Sequence, residues 1–214
     1  DIIIPLAALV GAPLCEKKKK LAKDLNYNVI CDMVKMLNKR QKIIYPNTNS
    51  GYGIGKKNKF CTEKSPLKPI SLYGRTKVQA EKCIMKHNNS ISFRLATVFG
   101  VSYRMRSDLL VNNFVDTALK EKQLKIFEPH FFRNFIHIKD IVRAFEFSIK
   151  NFDELKNNIY NLGLSSANIS KIQLARKIKK FLPLTKISIN EKFKDPDKRD
   201  YIVSNAKIEK KGFK

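Results

Sequence analysis

The sequence lacks the features of metal-binding and disulfide-stabilised proteins. Its four cysteines are widely and irregularly spaced, no C-x-x-C pair occurs, and no histidine cluster accompanies them. Structural zinc sites need closely spaced ligands of these types, so the sequence predicts no metal site. We interpret the cysteines as reduced thiols. They are Cys15, Cys31, Cys61 and Cys83.

Long hydrophobic runs are also missing. No segment approaches the ~20 consecutive apolar residues that cross a bilayer. The first residues, DIIIPLAALVGAP, lack the basic lead-in of a secretory signal. We therefore expect no membrane association and a cytoplasmic location. With 43% hydrophobic residues among 214, the chain can bury a substantial core and should be globular.

Acidic residues are scarce, since 19 Asp and Glu face 43 Lys and Arg and the net charge is +24. Such an excess can mark a nucleic-acid-binding surface. The lysines are dispersed through every segment, however, and the only tight run is Lys17 to Lys20. Aromatic residues do not alternate with basic ones as in single-strand-binding proteins. We predict no nucleic-acid partner, and the same positive field would suit an anionic substrate.

The order of apolar segments in the first half predicts an α/β fold. Residues 2–4 (III) are continuously apolar, as buried parallel strands are, and residues 41–45 (QKIIY) are predicted to form a second buried strand. Apolar residues at helical spacing cover 21–39. A second helix at 72–86 and a strand at 91–95 follow. This alternation is typical of a Rossmann-like, doubly wound parallel sheet.

The second half is less regular and predicts a smaller α+β lobe that binds substrate. We assign residues 1–100 to the Rossmann-like domain and residues 101–214 mainly to this lobe, with some segments returning to the first domain. No internal repeat or low-complexity linker separates the halves. The expected elements are helices near 109–119, 140–149 and 170–181, a strand at 124–127 and the segment 133–137.

The most informative local pattern is Tyr73-Gly74-Arg75-Thr76-Lys77. A Tyr and a Lys four positions apart on a helix project from the same face. A free phenol has a pKa near ~10, and a neighbouring ammonium stabilises the phenolate and lowers that value. The pair could then exchange a proton with a substrate hydroxyl. Alone, Y-x-x-x-K is a weak motif that also fits an exposed tyrosine beside a solvated lysine.

The context of this motif is more specific. The strand that ends in Asn47-Thr48-Asn49-Ser50 places hydroxyl residues at its carboxyl end, where open α/β sheets hold ligands, and Thr48 precedes Tyr73 by 25 positions. Five ordered segments resemble the extended short-chain dehydrogenase/reductase family, which includes NAD-dependent nucleotide-sugar epimerases, 4,6-dehydratases and reductases. The segments are IIIPLAALVG (2–11), IIYPNTNSGYG (43–53), LYGRTKVQAEK (72–82), FRLATVFG (93–100) and RNFIHIKDIVRAF (133–145).

The resemblance implies a catalytic triad of Thr48, Tyr73 and Lys77, with Ser50 as the fallback for Thr48. Tyr73 would exchange the proton of a sugar hydroxyl, and NAD, rather than NADP, would exchange the hydride. The family's dehydratases carry Asp-Glu after the catalytic Thr, where this chain has Asn49 and Ser50. That difference favours an epimerase or a reductase over a dehydratase, and of these an epimerase is the main prediction. The alternatives are a reductase, a 4,6-dehydratase or a non-catalytic homologue.

The resemblance also implies contacts to the two ligands. For the cofactor, besides Tyr73 and Lys77, these are Ala7, Ala8, Asn26, Ala96 and Val98; close packing or helix capping would explain the same residues. For a nucleotide-diphosphate sugar they are Thr48, Ser50, Thr97, Arg133 and Arg199. A guanidinium suits phosphate through paired hydrogen bonds, although either arginine could simply lie on the surface. Relatives commonly pair through the Tyr-Lys helix, so a homodimer is possible.

One family feature is missing. No G-x-x-G-x-x-G follows a strand, and this fingerprint normally brings backbone N–H groups to the pyrophosphate of the dinucleotide. We expect the chain to start at the fourth strand of the family's sheet, so that its N-terminal glycine-rich part is missing. Residues 1–214 should then bind NAD poorly. The sugar, the nucleotide and the reacting carbon are not specified by any pattern.

Overall fold

The computed structural model describes residues 1–190 and 198–213. The strands are β1 (Ile2–Ile3), β2 (Lys42–Thr48), β3 (Ser90–Leu95), β4 (Thr97–Phe99), β5 (Gln123–Ile126), β6 (Phe132–His137), β7 (Asn158–Leu162), β8 (Asn168–Ser170) and β9 (Lys186–Ile189). The helices are α1 (Ala12–Lys17), α2 (Lys19–Lys23), α3 (Val29–Met36), α4 (Leu72–Ile84), α5 (Leu110–Glu121), α6 (Ile138–Lys150), α7 (Phe152–Leu155), α8 (Lys171–Phe181) and α9 (Ala206–Glu209).

The main sheet is parallel and has the strand order β1-β2-β3-β7. Ile44 pairs with Ile91 and Phe93 pairs with Tyr160, and all four side chains are buried. They form one core together with Ile141 of α6. Because both faces of such a sheet are covered, its strands read as continuous apolar runs. The prediction of a Rossmann-like α/β fold is confirmed.

Helix α4, which carries Tyr73 and Lys77, begins at a defined cap. The Ser71 hydroxyl accepts a hydrogen bond from the Gly74 N–H at 3.1 Å, which satisfies one of the unpaired N–H groups of the first turn. The helix packs on α3 and on β2. Between α2 and α3 the backbone forms a π-helical turn, Asp24–Asn28, so the helical run predicted for 21–39 is interrupted rather than uniform.

The second half of the chain builds two smaller sheets. β4 pairs with β6 in parallel and β6 with β8 antiparallel, while β5 pairs with β9 in parallel. Helices α5 and α8 pack over β5 and enclose a second core that includes Phe114, Leu124 and Leu174. β7 lies in this half of the sequence but belongs to the main sheet. The division at residue 100 stays a prediction.

The reduced-thiol interpretation is wrong for two of the cysteines. Cys31 on α3 and Cys83 on α4 form a disulfide, with a Cα–Cα distance of 5.4 Å. Their separation of 52 residues gave no sign of this, because the two helices become neighbours only when they pack side by side. Cys15 and Cys61 are free and buried.

The helices of the described residues are short compared with a bilayer. α4 and α6 have 13 residues each, whereas a membrane-spanning helix needs ~20. Within 1–190 and 198–213, none is long and apolar enough to cross a membrane.

Replacing Gly53 with alanine should lower the free energy of unfolding by about 2–4 kcal/mol, because two penalties coincide there. Gly53 has a φ of 68°, which side chains rarely adopt, and an added Cβ would overlap the Lys68 carbonyl oxygen. Urea unfolding measures the change. Gly212 is the control, since its φ is 97° but no atom lies within 4 Å of an added Cβ. Equal losses in the two variants would contradict this explanation.

Candidate active site

A cleft of about 520 Å³ opens at the carboxyl ends of β2 and β3. This is where open α/β sheets bind their ligands. Six separate stretches of the chain supply its walls. The lining residues include Val10–Pro13, the end of β2 with Asn47, Thr48 and Ser50, the helix residue Tyr73, residues 95–98, and Arg106, Asp108, Leu109, Arg199 and Tyr201.

The structure brings together Thr48, Ser50 and Tyr73. Thr48 ends β2, and its hydroxyl donates to the Ser50 Oγ at 3.0 Å and accepts from the Ser50 N–H at 3.1 Å. Burial raises the pKa of the Tyr73 phenol, while the charge of Arg199 and a hydrogen bond with Thr48 act in the opposite direction. Thr48 and Tyr73 therefore lie close together in the cleft, as the triad requires.

Lys77 lies beneath the cleft rather than among its lining residues. The side chain is 4% exposed, and its Nζ donates to the Pro46 carbonyl oxygen at 2.7 Å and lies 4.1 Å from the centre of the Tyr45 ring. Burial lowers the pKa of Lys77 to about 7, and the nearby Glu81 carboxylate opposes this shift. The fold therefore disfavours the protonated, charged form of Lys77.

The residues predicted to bind the cofactor divide into two groups. Ala96 and Val98 line the cleft, whereas Ala7 and Ala8 do not. Asn26 is buried and is not a lining residue, and its side-chain amide is hydrogen-bonded to the backbone of Leu9. Its Oδ1 accepts from the Leu9 N–H and its Nδ2 donates to the Leu9 carbonyl oxygen, each at 2.8 Å. Asn26 therefore fixes the loop that leads into the cleft wall.

Of the two arginines predicted to bind substrate, Arg199 lines the cleft. Its Nη1 donates to the Ser50 hydroxyl, and both residues line the cleft with Thr97. Arg133 is not among the lining residues. It is buried, donates to the Phe132 carbonyl oxygen at 2.9 Å and faces the Tyr201 ring. Its contact with the cleft is therefore through Tyr201, which does line it.

The sequence reasoning missed two charged residues that line the cleft, Arg106 and Asp108. Arg106 donates through Nε and Nη2 to the two carboxylate oxygens of Asp108, at 2.7 and 2.6 Å. Arg106 also lies 3.9 Å from the position that a Cβ on Gly11 would take, so it faces the opposite wall. The Arg-x-Asp spacing was the available signal, but only the fold shows that it borders the cleft.

The part of the chain that the structure describes contains no group of three His, Cys, Asp or Glu side chains that could hold a metal ion. Among the described residues that line the cleft, the polar groups are hydroxyls, an amide, guanidinium groups and one carboxylate, that of Asp108. These groups bind and orient oxygen-rich ligands and exchange protons. The described lining therefore combines hydroxyl groups with positive charge.

The fold is that of a Rossmann-like domain. Thr48 and Tyr73 line the cleft at the carboxyl ends of its strands, and Lys77 lies beneath them. The model of the family described as "NAD dependent epimerase/dehydratase family" matches residues 1–163. The chain belongs to this family.

Curated relatives include ADP-L-glycero-D-manno-heptose-6-epimerase of Brachyspira hyodysenteriae, which is 25% identical over 154 residues, covering 67% of this chain and 47% of the relative. An uncharacterised protein of Methanocaldococcus jannaschii, MJ1055, is 27% identical over 177 residues, covering 76% and 53%. UDP-glucose 4-epimerase of Lactobacillus helveticus is 22% identical over 203 residues, covering 83% and 61%. The chain spans about half the length of the first two.

Solved structures with the same fold include enzymes of both reaction types. The dTDP-glucose 4,6-dehydratase of Bacillus anthracis in complex with NAD has a TM-score of 0.81 and 20% identity, covering 98% of this chain and 65% of that one. The UDP-glucose 4-epimerase of Thermus thermophilus in complex with NAD has a TM-score of 0.83 and 16% identity, covering 100% and 72%. At these identities the comparison shows the fold, and the reaction type is left undetermined.

Proposed function

We propose that this chain carries the catalytic groups of an NAD-dependent nucleotide-sugar epimerase. One observation supports the proposal most directly: Thr48, Ser50, Tyr73 and Arg199 meet in one cleft at the carboxyl end of β2. A hydroxyl pair, a phenol and a guanidinium can orient a sugar oxygen, move its proton and bind a phosphate. NAD-bound relatives and an NADPH-bound structure share the fold.

The residues present fit the nicotinamide end of a dinucleotide. Ala96, Thr97 and Val98 give the cleft small side chains beside Tyr73. When protonated, Lys77 has three N–H donors, and one of them is engaged with Pro46. Lys77 and Tyr73 would therefore hold the ribose. NAD, which we favour over NADP, would supply hydride exchange at a sugar carbon when bound.

The residues then have distinct tasks. Thr48 and Ser50 hydrogen-bond the reacting sugar oxygen and aim its hydroxyl at Tyr73. Tyr73 takes the hydroxyl proton as that carbon becomes a ketone, and it returns the proton when the carbonyl is reduced. The charges of Arg199 and Arg106 lower the pKa of Tyr73 against the effect of burial, and so assist the first of these transfers.

The small number of carboxylates in the described lining favours an epimerase over a 4,6-dehydratase. Elimination of water needs an acid beside the sugar, and the described lining of the cleft has one carboxylate, Asp108, which is held by Arg106. Ser50 is engaged with Thr48 and Arg199, and Asn49 is an amide. A nucleotide-sugar reductase is the alternative that this arrangement also supports.

Arg199 should bind the diphosphate of the substrate. Replacing Arg199 with alanine should weaken the binding of UDP about 10- to 100-fold, because hydrogen bonds to charged groups are worth roughly 1.5–3 kcal/mol. Isothermal titration without NAD measures this separately from turnover. Arg143→Ala, which removes an exposed arginine on α6, is the control. Unchanged affinity in Arg199→Ala would contradict the assignment, and no binding of UDP or UDP-glucose to the unmodified chain would contradict the proposed substrate class.

The proposal extends to assembly and location. α3 and α4 form an outer helix pair on which Val29 and Met36 are exposed, which suits a homodimer. We propose a cytoplasmic location on the basis of the family's substrates. The Cys31–Cys83 disulfide is an observation against a cytoplasmic location, because disulfides are rare in cytosolic proteins.

A further inference from the structure

A buried ion pair lies beneath the floor of the cleft. Glu81 on α4 is 3% exposed and Arg94 on β3 is 4% exposed. The Arg94 Nη2 is 2.7 Å from Glu81 Oε1, and Nε is 3.1 Å from Oε2, so the guanidinium and the carboxylate meet edge to edge. The proposed reaction gives neither residue a task.

Glu81 holds the residue before Thr48. Its Oε2 accepts from the Asn47 Nδ2 at 2.7 Å and from the Ser92 hydroxyl at 2.9 Å. A carboxylate can only accept, so the amide of Asn47 must turn its nitrogen towards Glu81. Within the described residues the Asn47 Oδ1 then has no hydrogen-bond partner. The orientation of Asn47 is therefore set by Glu81.

Arg94 holds the other end of the same segment. Its Nη1 donates to the Tyr52 hydroxyl at 3.1 Å, and Tyr52 in turn donates to the Asn161 Oδ1 at 2.6 Å. Tyr52 closes the short 3-10 turn Asn49–Tyr52 that follows Thr48. The two partners of the ion pair thus grip the chain on both sides of Thr48 and Ser50.

Glu81 also shares the attachment of α4 to β2 with Lys77. Lys77 donates to the Pro46 carbonyl oxygen, and one helical turn later Glu81 accepts from Asn47. In the proposed function Lys77 turns to the ribose. The contact between Glu81 and Asn47 would then remain to fix the distance between the helix that carries Tyr73 and the strand that carries Thr48.

Stability alone gives a weak reason for this arrangement. A buried ion pair repays little more than its own desolvation, and well-packed apolar residues of similar volume are often as stable or more so. The pair also leaves the Asn47 oxygen unsatisfied in the interior, which is itself unfavourable. The ion pair makes directed hydrogen bonds to Asn47 and Tyr52, which apolar residues could not make.

We propose that Glu81 and Arg94 are positioning residues that hold the segment from Thr48 to Ser50 against Tyr73. The positional claim stands on the geometry. Its catalytic consequence rests on the proposed function.

The double variant Glu81→Leu with Arg94→Met removes the grip and leaves no unpaired charge. Hydrogen exchange measured by mass spectrometry should then be about tenfold faster in residues 47–52, with the thermal midpoint and the exchange of residues 123–126 unchanged. Unchanged exchange in 47–52 would overturn the proposal, as would an equal acceleration in both segments. If the double variant does not fold, Tyr52→Phe decides in its place: exchange in 49–52 should accelerate alone, and unaltered exchange there would equally overturn it.

Kinetics test the catalytic consequence in the protein expressed from its complete gene. The double variant should lose kcat roughly 10- to 100-fold with KM for the nucleotide sugar unchanged, because the reacting groups are misplaced while the diphosphate contacts remain. Arg94→Lys, which keeps a cation beside Glu81, should recover part of kcat. An unaltered kcat beside accelerated exchange would contradict the catalytic role. An inactive unmodified enzyme would contradict the proposed function, while the exchange result would still decide the positional claim.

Discussion

Replacing Tyr73 with phenylalanine should lower kcat by roughly 10²- to 10⁴-fold, the usual contribution of a general acid or base. In the proposed reaction the phenol hydroxyl beside Thr48 exchanges the proton, and phenylalanine keeps the ring but removes that proton. The assay is turnover of a nucleotide sugar with NAD by the protein expressed from its complete gene. Circular dichroism and the thermal midpoint should not change, because the rest of the side chain packs as before.

Tyr103→Phe is the matched control for this substitution. Tyr103 is fully exposed, and its hydroxyl has no place in the proposed reaction. This variant should retain the activity of the unmodified enzyme. Full activity in Tyr73→Phe, or equal losses in both variants, would contradict the role of Tyr73.

Replacing Lys77 with methionine should stabilise the chain near neutral pH and change how its stability depends on pH. Burial lowers the pKa of Lys77 to about 7 in the folded chain, from an ordinary value of 10.5. Between these two values the unfolded chain binds more protons at this site than the folded chain does. The free energy of unfolding therefore rises with pH there, by up to about 1.4 kcal/mol per pH unit from this one group.

Methionine has no proton to lose, so Lys77→Met should remove this rise. Its advantage over the unmodified chain should be greatest below about pH 7 and should fall steadily towards about pH 10. Urea unfolding at several pH values measures it without any ligand. Lys82→Met, at an exposed position of the same helix, is the control and should follow the unmodified chain. An advantage of Lys77→Met that is the same at every pH would contradict a charge that is costly to bury.

The parallel strands and the catalytic helix could be predicted because their signals are local. The run IIY of β2 and the ISF of β3 are apolar stretches bounded by turn residues, and the Tyr-Lys spacing needs only a helix. β7 was not predicted, because Asn158 and Asn161 interrupt its apolar run. Asn161 is buried there since it accepts from the Tyr52 hydroxyl, a partner 109 positions away.

The site was predictable to the same extent. Thr48 and Tyr73 were predicted from a strand end, a helical spacing and the family resemblance. The pairs Arg106–Asp108 and Glu81–Arg94 and the disulfide Cys31–Cys83 depend on how elements pack. The Tyr-x-x-x-Lys motif likewise did not predict that Lys77 is buried against Pro46. A spacing identifies which residues share a helix face, and the environment of that face is a property of the fold.

The most direct measurement is the product formed from a panel of nucleotide sugars by the protein expressed from its complete gene with NAD, followed by proton NMR. An epimerase should invert one sugar carbon of one panel member and leave no net change in the cofactor. Release of water to give a 4-keto-6-deoxy sugar, or the failure of every panel member to react, would contradict the account.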